Sequence, residues 1–60
     1  MNENDLYRRI LAEFESMKRA GMRVPQQAYE LAYSETLADY TGMSIADIAD
    51  LLIELTEVAA

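Results

Sequence analysis

Apolar side chains in the first third of the chain fall at Leu6, Tyr7, Ile10, Leu11, Phe14 and Met17. This is the i, i+3, i+4, i+7 spacing of one helical face. At about 100° per residue the six cover an arc of roughly 140°, leaving Arg8, Arg9, Glu15 and Arg19 outside it. Asp5 with Arg9 and Glu15 with Arg19 stand four apart in the favourable acid-first order. Asn4 suits an N-cap and Gly21 the position just past a helix end. The spacing predicts a helix over about residues 5–20.

A second helix is expected over about residues 25–41. Pro25 fits its first position, where the missing N–H is not needed, and Gly42 ends it. Along it Tyr29, Ala32, Tyr33, Thr36, Leu37 and Tyr40 line one face. The third helix, over about residues 44–58, has the strongest start signal: Ser44 with Asp47 three residues on resembles a capping box. Met43 precedes it, placed to staple onto Ile48. Its apolar positions Ile45, Ile48, Ala49, Leu51, Leu52, Ile53, Leu55 and Val58 spread over roughly 220°, more than one face of a bundle needs. No segment alternates with period two, so no strand is expected. The fold class is all-α, a small three-helix bundle in which residues 1–60 form a single helical domain.

That wide arc carries a consequence. A lone bundle hides roughly 140° per helix, so Leu51, Leu55 and Val58, or Ile53 on the opposite flank, should be left uncovered in a monomer. A homodimer through the third helix is the expected remedy. The competing expectation is that the small residues Ala28, Ala32 and Ala38 let the third helix sink deep enough to cover both flanks.

Charge divides the chain unevenly. Residues 1–23 carry five bases (Arg8, Arg9, Lys18, Arg19, Arg23) and four acids (Glu3, Asp5, Glu13, Glu15), a net of +1. Residues 24–60 carry seven acids (Glu30, Glu35, Asp39, Asp47, Asp50, Glu54, Glu57) and no base, a net of −7, giving −6 in all. Asp47, Asp50, Glu54 and Glu57 form one stripe on the third helix, and Glu35 with Asp39 an i, i+4 pair on the second. Such a surface repels phosphate and attracts basic protein over a Debye length of about 8 Å.

Composition then removes most chemistry. The chain has no Cys and no His, which excludes disulfides, thiolate nucleophiles, Cys-based metal sites and the commonest general base. Acidic pairs can hold Mg²⁺ or Ca²⁺, but the Asp-x-Asp-x-Asp-Gly loop spacing is missing. No enzyme activity, metal or cofactor is expected. The longest apolar run, Leu51-Leu52-Ile53, falls far short of a membrane span, and the acidic start Met1–Asp5 does not resemble a signal peptide. The expected location is therefore the cytoplasm.

Ala38, Gly42, Ile48 and Leu51 stand at relative offsets 0, 4, 10 and 13, a spacing similar to the helix-turn-helix: small residue, turn glycine, two buried apolar residues. The resemblance covers about residues 34–53 and implies a nucleic-acid reader. Yet the reading helix would offer Ser44, Ile45, Ala46, Ala49 and Asp50 among acids, without the Lys or Arg that phosphate contact needs. The leading expectation is therefore a non-enzymatic regulator, adaptor or inhibitor. Its contact residues are Glu35, Asp39, Asp47, Asp50, Glu54 and Glu57, and its target a basic protein surface. A sharper form is a nucleic-acid mimic; the alternative is a helix-turn-helix regulator that draws on the helix 1 bases of a dimer.

Overall fold

The computed structural model describes residues 3–34, 37–40 and 42–59. Three α-helices run in order: α1 over Glu3–Arg19, α2 over Gln26–Ser34 and α3 over Ile45–Ala59. A 3₁₀ turn at Leu37–Tyr40 stands between α2 and α3. The three helices pack on one another in every pairing, and the turn rests on α1. The all-α bundle expected from the spacing is the fold of this chain.

α1 begins at Glu3, so Asn4 lies within its first turn and does not cap it. Its end is set by backbone conformation. Gly21 has φ +88°; its N–H donates to the Lys18 carbonyl and the Met22 N–H to the Met17 carbonyl, both at 2.9 Å. These two bonds are the Schellman pair, which satisfies carbonyls that the helix end leaves without partners. An added Cβ at Gly21 would meet nothing within 4 Å, so glycine is needed there for its φ and not for space. α3 starts as its sequence signals, with the Asp47 N–H donating to Ser44 Oγ at 3.1 Å. Met43 is exposed, whereas Ile48 is buried.

α2 departs from expectation in length and in facing. A continuous helix from residue 26 would turn Asp39 onto the same side as Ala28 and Ala32, since eleven residues at 100° return to within about 20° of the start. That side is the core side: Ala28 and Ala32 are fully buried. A carboxylate there would have no partner, and burying it unpaired is costly. The α-helix stops at Ser34, and the tighter 3₁₀ winding leaves Asp39 exposed and Tyr40 packed against the core. Of the face expected to hold the tyrosines, Ala32 is buried and Tyr29 and Tyr40 pack against the core, whereas Tyr33 is turned outward; Thr36 and the Leu37 side chain lie outside the described residues. Tyr33 is 80% exposed and meets Tyr7 edge-on, with ring centroids 5.9 Å apart. Tyr29 stays partly buried, edge-on to Phe14 at 5.0 Å.

The core is Ile10, Phe14 and Met17 from α1, Ala28 and Ala32 from α2, and Ile48, Ala49, Leu52 and Ile53 from α3. Thr56 is the polar side chain in this layer, and its hydroxyl donates to the Ile53 carbonyl at 2.6 Å, so it is buried without an unmet hydrogen bond. Ile53 was one of the two flanks expected to lie open; at 9% exposure it belongs to the core. Ala28 and Ala32, two of the three small residues expected to allow this, are buried on α2, and side chains with no atoms beyond Cβ let the helix axes approach closely; the Ala38 side chain lies outside the described residues. Of the spacing shared with the helix-turn-helix, Gly42 has the left-handed φ of +105° and Ile48 is buried. Leu51, however, is only half-buried, and the adjacent Leu52 takes the core position.

Replacing Phe14 by Ala should remove about 3–5 kcal/mol. A core of this size rarely supplies more than about 3–5 kcal/mol, so Phe14→Ala is expected to lose its helical circular dichroism at room temperature. Ser44→Ala should cost about 1 kcal/mol and stay folded. A cooperative melt for Phe14→Ala close to that of the parent would refute the packing described.

Candidate interaction surface

α3 divides into three lanes around its axis. Ile48, Ala49, Leu52, Ile53 and Thr56 face inward. Asp47, Asp50, Glu54 and Glu57 are all exposed, and at 100° per residue they share an arc of about 80°. Between this acidic lane and the core lies a third, an arc of about 60° holding Leu51, Leu55 and Val58. Leu51 is half-buried, Leu55 is 37% exposed and Val58 is 84% exposed. The flank left open by the fold is thus this one, and not that of Ile53. Along the axis the acids extend about 15 Å and the apolar row about 10 Å.

Of the remaining expected contact residues, Asp39 is exposed on the 3₁₀ turn, and Glu35 lies outside the described residues. The structure therefore shows four of the six acids on one helix face, with Asp39 on a separate element.

The acids of the two halves differ in their surroundings. On α1, Glu15 accepts a hydrogen bond from the Tyr29 hydroxyl at 2.7 Å and pairs with Lys18 at 3.1 Å. Lys18 also lies over the Tyr29 ring, 4.7 Å from its centroid. The close partner of Glu15 is thus Lys18, three residues on, and the expected Arg19 acts only through its charge; Tyr29 reaches across from α2, bonding the carboxylate through its hydroxyl with Lys18 over its ring. The Tyr29 hydrogen bond, then Lys18, hold the Glu15 carboxyl below the ordinary carboxylate value. The Tyr29 hydroxyl and Glu15 raise Lys18 in turn. Sequence spacing does not reveal this cluster, since it forms between helices. All five bases of the chain stand on α1 or in the turn after it, and among the described residues none is ion-paired with an acid of α3.

The described residues include no group of three or more acids placed to hold a metal ion. No described helix is long and apolar enough to cross a membrane. Comparison with protein-family models, with curated proteins and with solved structures finds no match. The acidic and apolar lanes of α3 must be judged by their own chemistry.

The Glu15 cluster gives a pH signature. Because the folded carboxyl sits below its unfolded value, its contribution to stability is complete above the ordinary carboxylate range and is lost as pH falls through the lowered value. Lys18 acts in the opposite sense, its contribution being present below the ordinary lysine value and lost as pH rises through the raised one. Tyr29→Phe keeps the ring and removes the hydroxyl, so the Glu15 carboxyl should titrate at higher pH. A carbon-detected NMR titration of the Glu15 side chain checks this, and an unchanged midpoint would contradict the geometry.

Proposed function

We propose that this chain is a small non-enzymatic interaction protein, a regulator, adaptor or inhibitor that acts by occupying a basic surface on another protein. The observation that carries this is the outer face of α3: four exposed carboxylates within about 15 Å, with no base among the described residues paired to them. Held on one helix, they need little reordering to meet Lys or Arg, and they speed encounter with a basic partner at low salt. The lack of His and Cys in the sequence supports a binding role over a chemical one.

Mimicry of a duplex is a poorer fit. Four acids over about 15 Å are roughly one charge per 5 Å, against one per about 1.7 Å along duplex DNA, so the stripe has about a third of the linear charge density. Nucleic-acid binding itself is opposed by the same stripe, which faces outward along the helix that would have to enter a groove. A homodimer through α3 retains only part of its sequence argument. With Ile53 buried, only the Leu51, Leu55 and Val58 flank remains, and each copy brings a half-chain charge of −7.

Affinity capture from the source lysate tests the proposal when the parent chain is run beside a variant with Asp47→Asn, Asp50→Asn, Glu54→Gln and Glu57→Gln. The parent should retain basic proteins at about 50 mM salt and release most of them at about 500 mM, where the Debye length has fallen to several ångströms. The variant should retain few at either. Equal capture by both would rule out the acidic face as the contact. In a gel shift at low salt, the parent should leave random duplex DNA unretarded.

A further inference from the structure

We infer that the segment received by α3 is a basic amphipathic helix of a partner protein. Its apolar side chains would lie along Leu51, Leu55 and Val58, and its Lys and Arg along Asp47, Asp50, Glu54 and Glu57. This rests on the proposed function above and specifies the form of the partner.

The argument is the juxtaposition of the two outer lanes. The acidic stripe alone would suit any cationic chain, folded or not. The apolar row runs beside it at positions i, i+4 and i+7, with axial steps of about 6 and 4.5 Å. Side chains three and four apart on a second helix repeat at the same steps, so one helix laid along α3 brings ridge against row over about two turns. A partner helix whose apolar stripe borders a basic one then meets both lanes at once, the helix-on-helix mode of peptide recognition. An extended strand repeats its side chains at about 6.6 Å on one face and falls out of register with this row.

Charge complementarity chooses between a foreign helix and a second copy. Another α3 would match the apolar row but add four acids to the seam, and residues 24–60 contain no base to meet them. The bases of α1 are interleaved with acids: Arg8 and Arg19 share the outward face with Asp5 and Glu15. Neither helix of a second copy presents a basic lane beside an apolar one. Val58, the most exposed apolar side chain of the row, is the anchor available for burial.

The test uses the full chain and two labelled peptides of about 18 residues, both made of Leu and Lys in one composition. In the first, Leu recurs at helical i, i+3, i+4, i+7 spacing; in the second the same residues are scrambled so that Leu is scattered around the helix. Fluorescence anisotropy near physiological salt reads binding, and circular dichroism reads helix formation. The amphipathic peptide should bind at least about tenfold more tightly than the scrambled one and become helical on binding, since burying one aliphatic side chain is worth about that factor. Val58→Ser should remove most of the tenfold preference, whereas Met22→Ser, at an exposed methionine in the turn after α1, should leave it unchanged. The circular dichroism of each free variant checks that the fold is intact. Equal binding of the two peptides would overturn the amphipathic-helix inference and leave the acidic contact surface standing. Binding of neither would overturn both. A dimer of the chain alone by light scattering at tens of micromolar, lost in Val58→Ser, would assign the row to a second copy and also overturn the inference.

Discussion

The bundle depends on two alanines. Ala28 and Ala32 are fully buried on α2 and present almost no side chain to the layer between the helices. That thinness lets α3 settle close, and Ile48, Leu52 and Ile53 join Ile10, Phe14 and Met17 of α1 in one buried cluster. A larger residue at either position would hold α3 away and leave Ile53 wet. It would also disturb Phe14, which is fully buried and braced edge-on by Tyr29. The same alanines impose the break after Ser34. A buried line so narrow leaves no place for Asp39 inside, so the chain must change its winding before α3 can begin.

The helices of this fold could be read from the sequence where the apolar spacing was one-sided. All six side chains assigned to the inner face of α1 do lie in or against the core. Gly21 ends α1 with the positive φ its position suggested, and Gly42, expected to end the second helix, has a positive φ after the 3₁₀ turn instead. On α2 the reading was right for Ala32, Tyr29 and Tyr40 but missed Ala28 and placed the exposed Tyr33 on the inner face. Tyrosine is large enough to dominate a spacing pattern and amphipathic enough to stand at a rim, so its positions do not locate the centre of a face. The wide arc of α3 left open which flank would be covered. That depended on how closely α2 approaches, a tertiary quantity. The acidic lane was readable from spacing alone, whereas its position beside an uncovered apolar row required the burial of Ile53 to be known.

Charge is segregated along the chain and handled differently on each side. α1 carries both signs, and Glu15 is engaged by Lys18 and by a hydroxyl reaching over from α2. This cluster helps to hold α1 and α2 together, although its groups are exposed and it gives less than a buried pair of the same geometry would. α3 carries one sign outward, and mutual repulsion among its acids is a standing cost to the helix. The first-turn position of Asp47 offsets a little of that through the helix dipole, whereas Glu57 near the other end adds to it.

The Ser44 cap has a consequence for how the outer surface of α3 could change over time. Capping sets the starting residue, and from that point each residue advances by 100°, so the inward and outward lanes share one angular clock. A residue inserted or lost within the first two turns would swing everything downstream by more than a quarter of a circle, carrying acids into the packed layer and isoleucines into water. Point substitutions can alter the composition of the outward lanes freely, but their bearing on the molecule is locked to the packing beneath. Any recognition surface built on α3 is accordingly free to drift in chemistry and not in orientation.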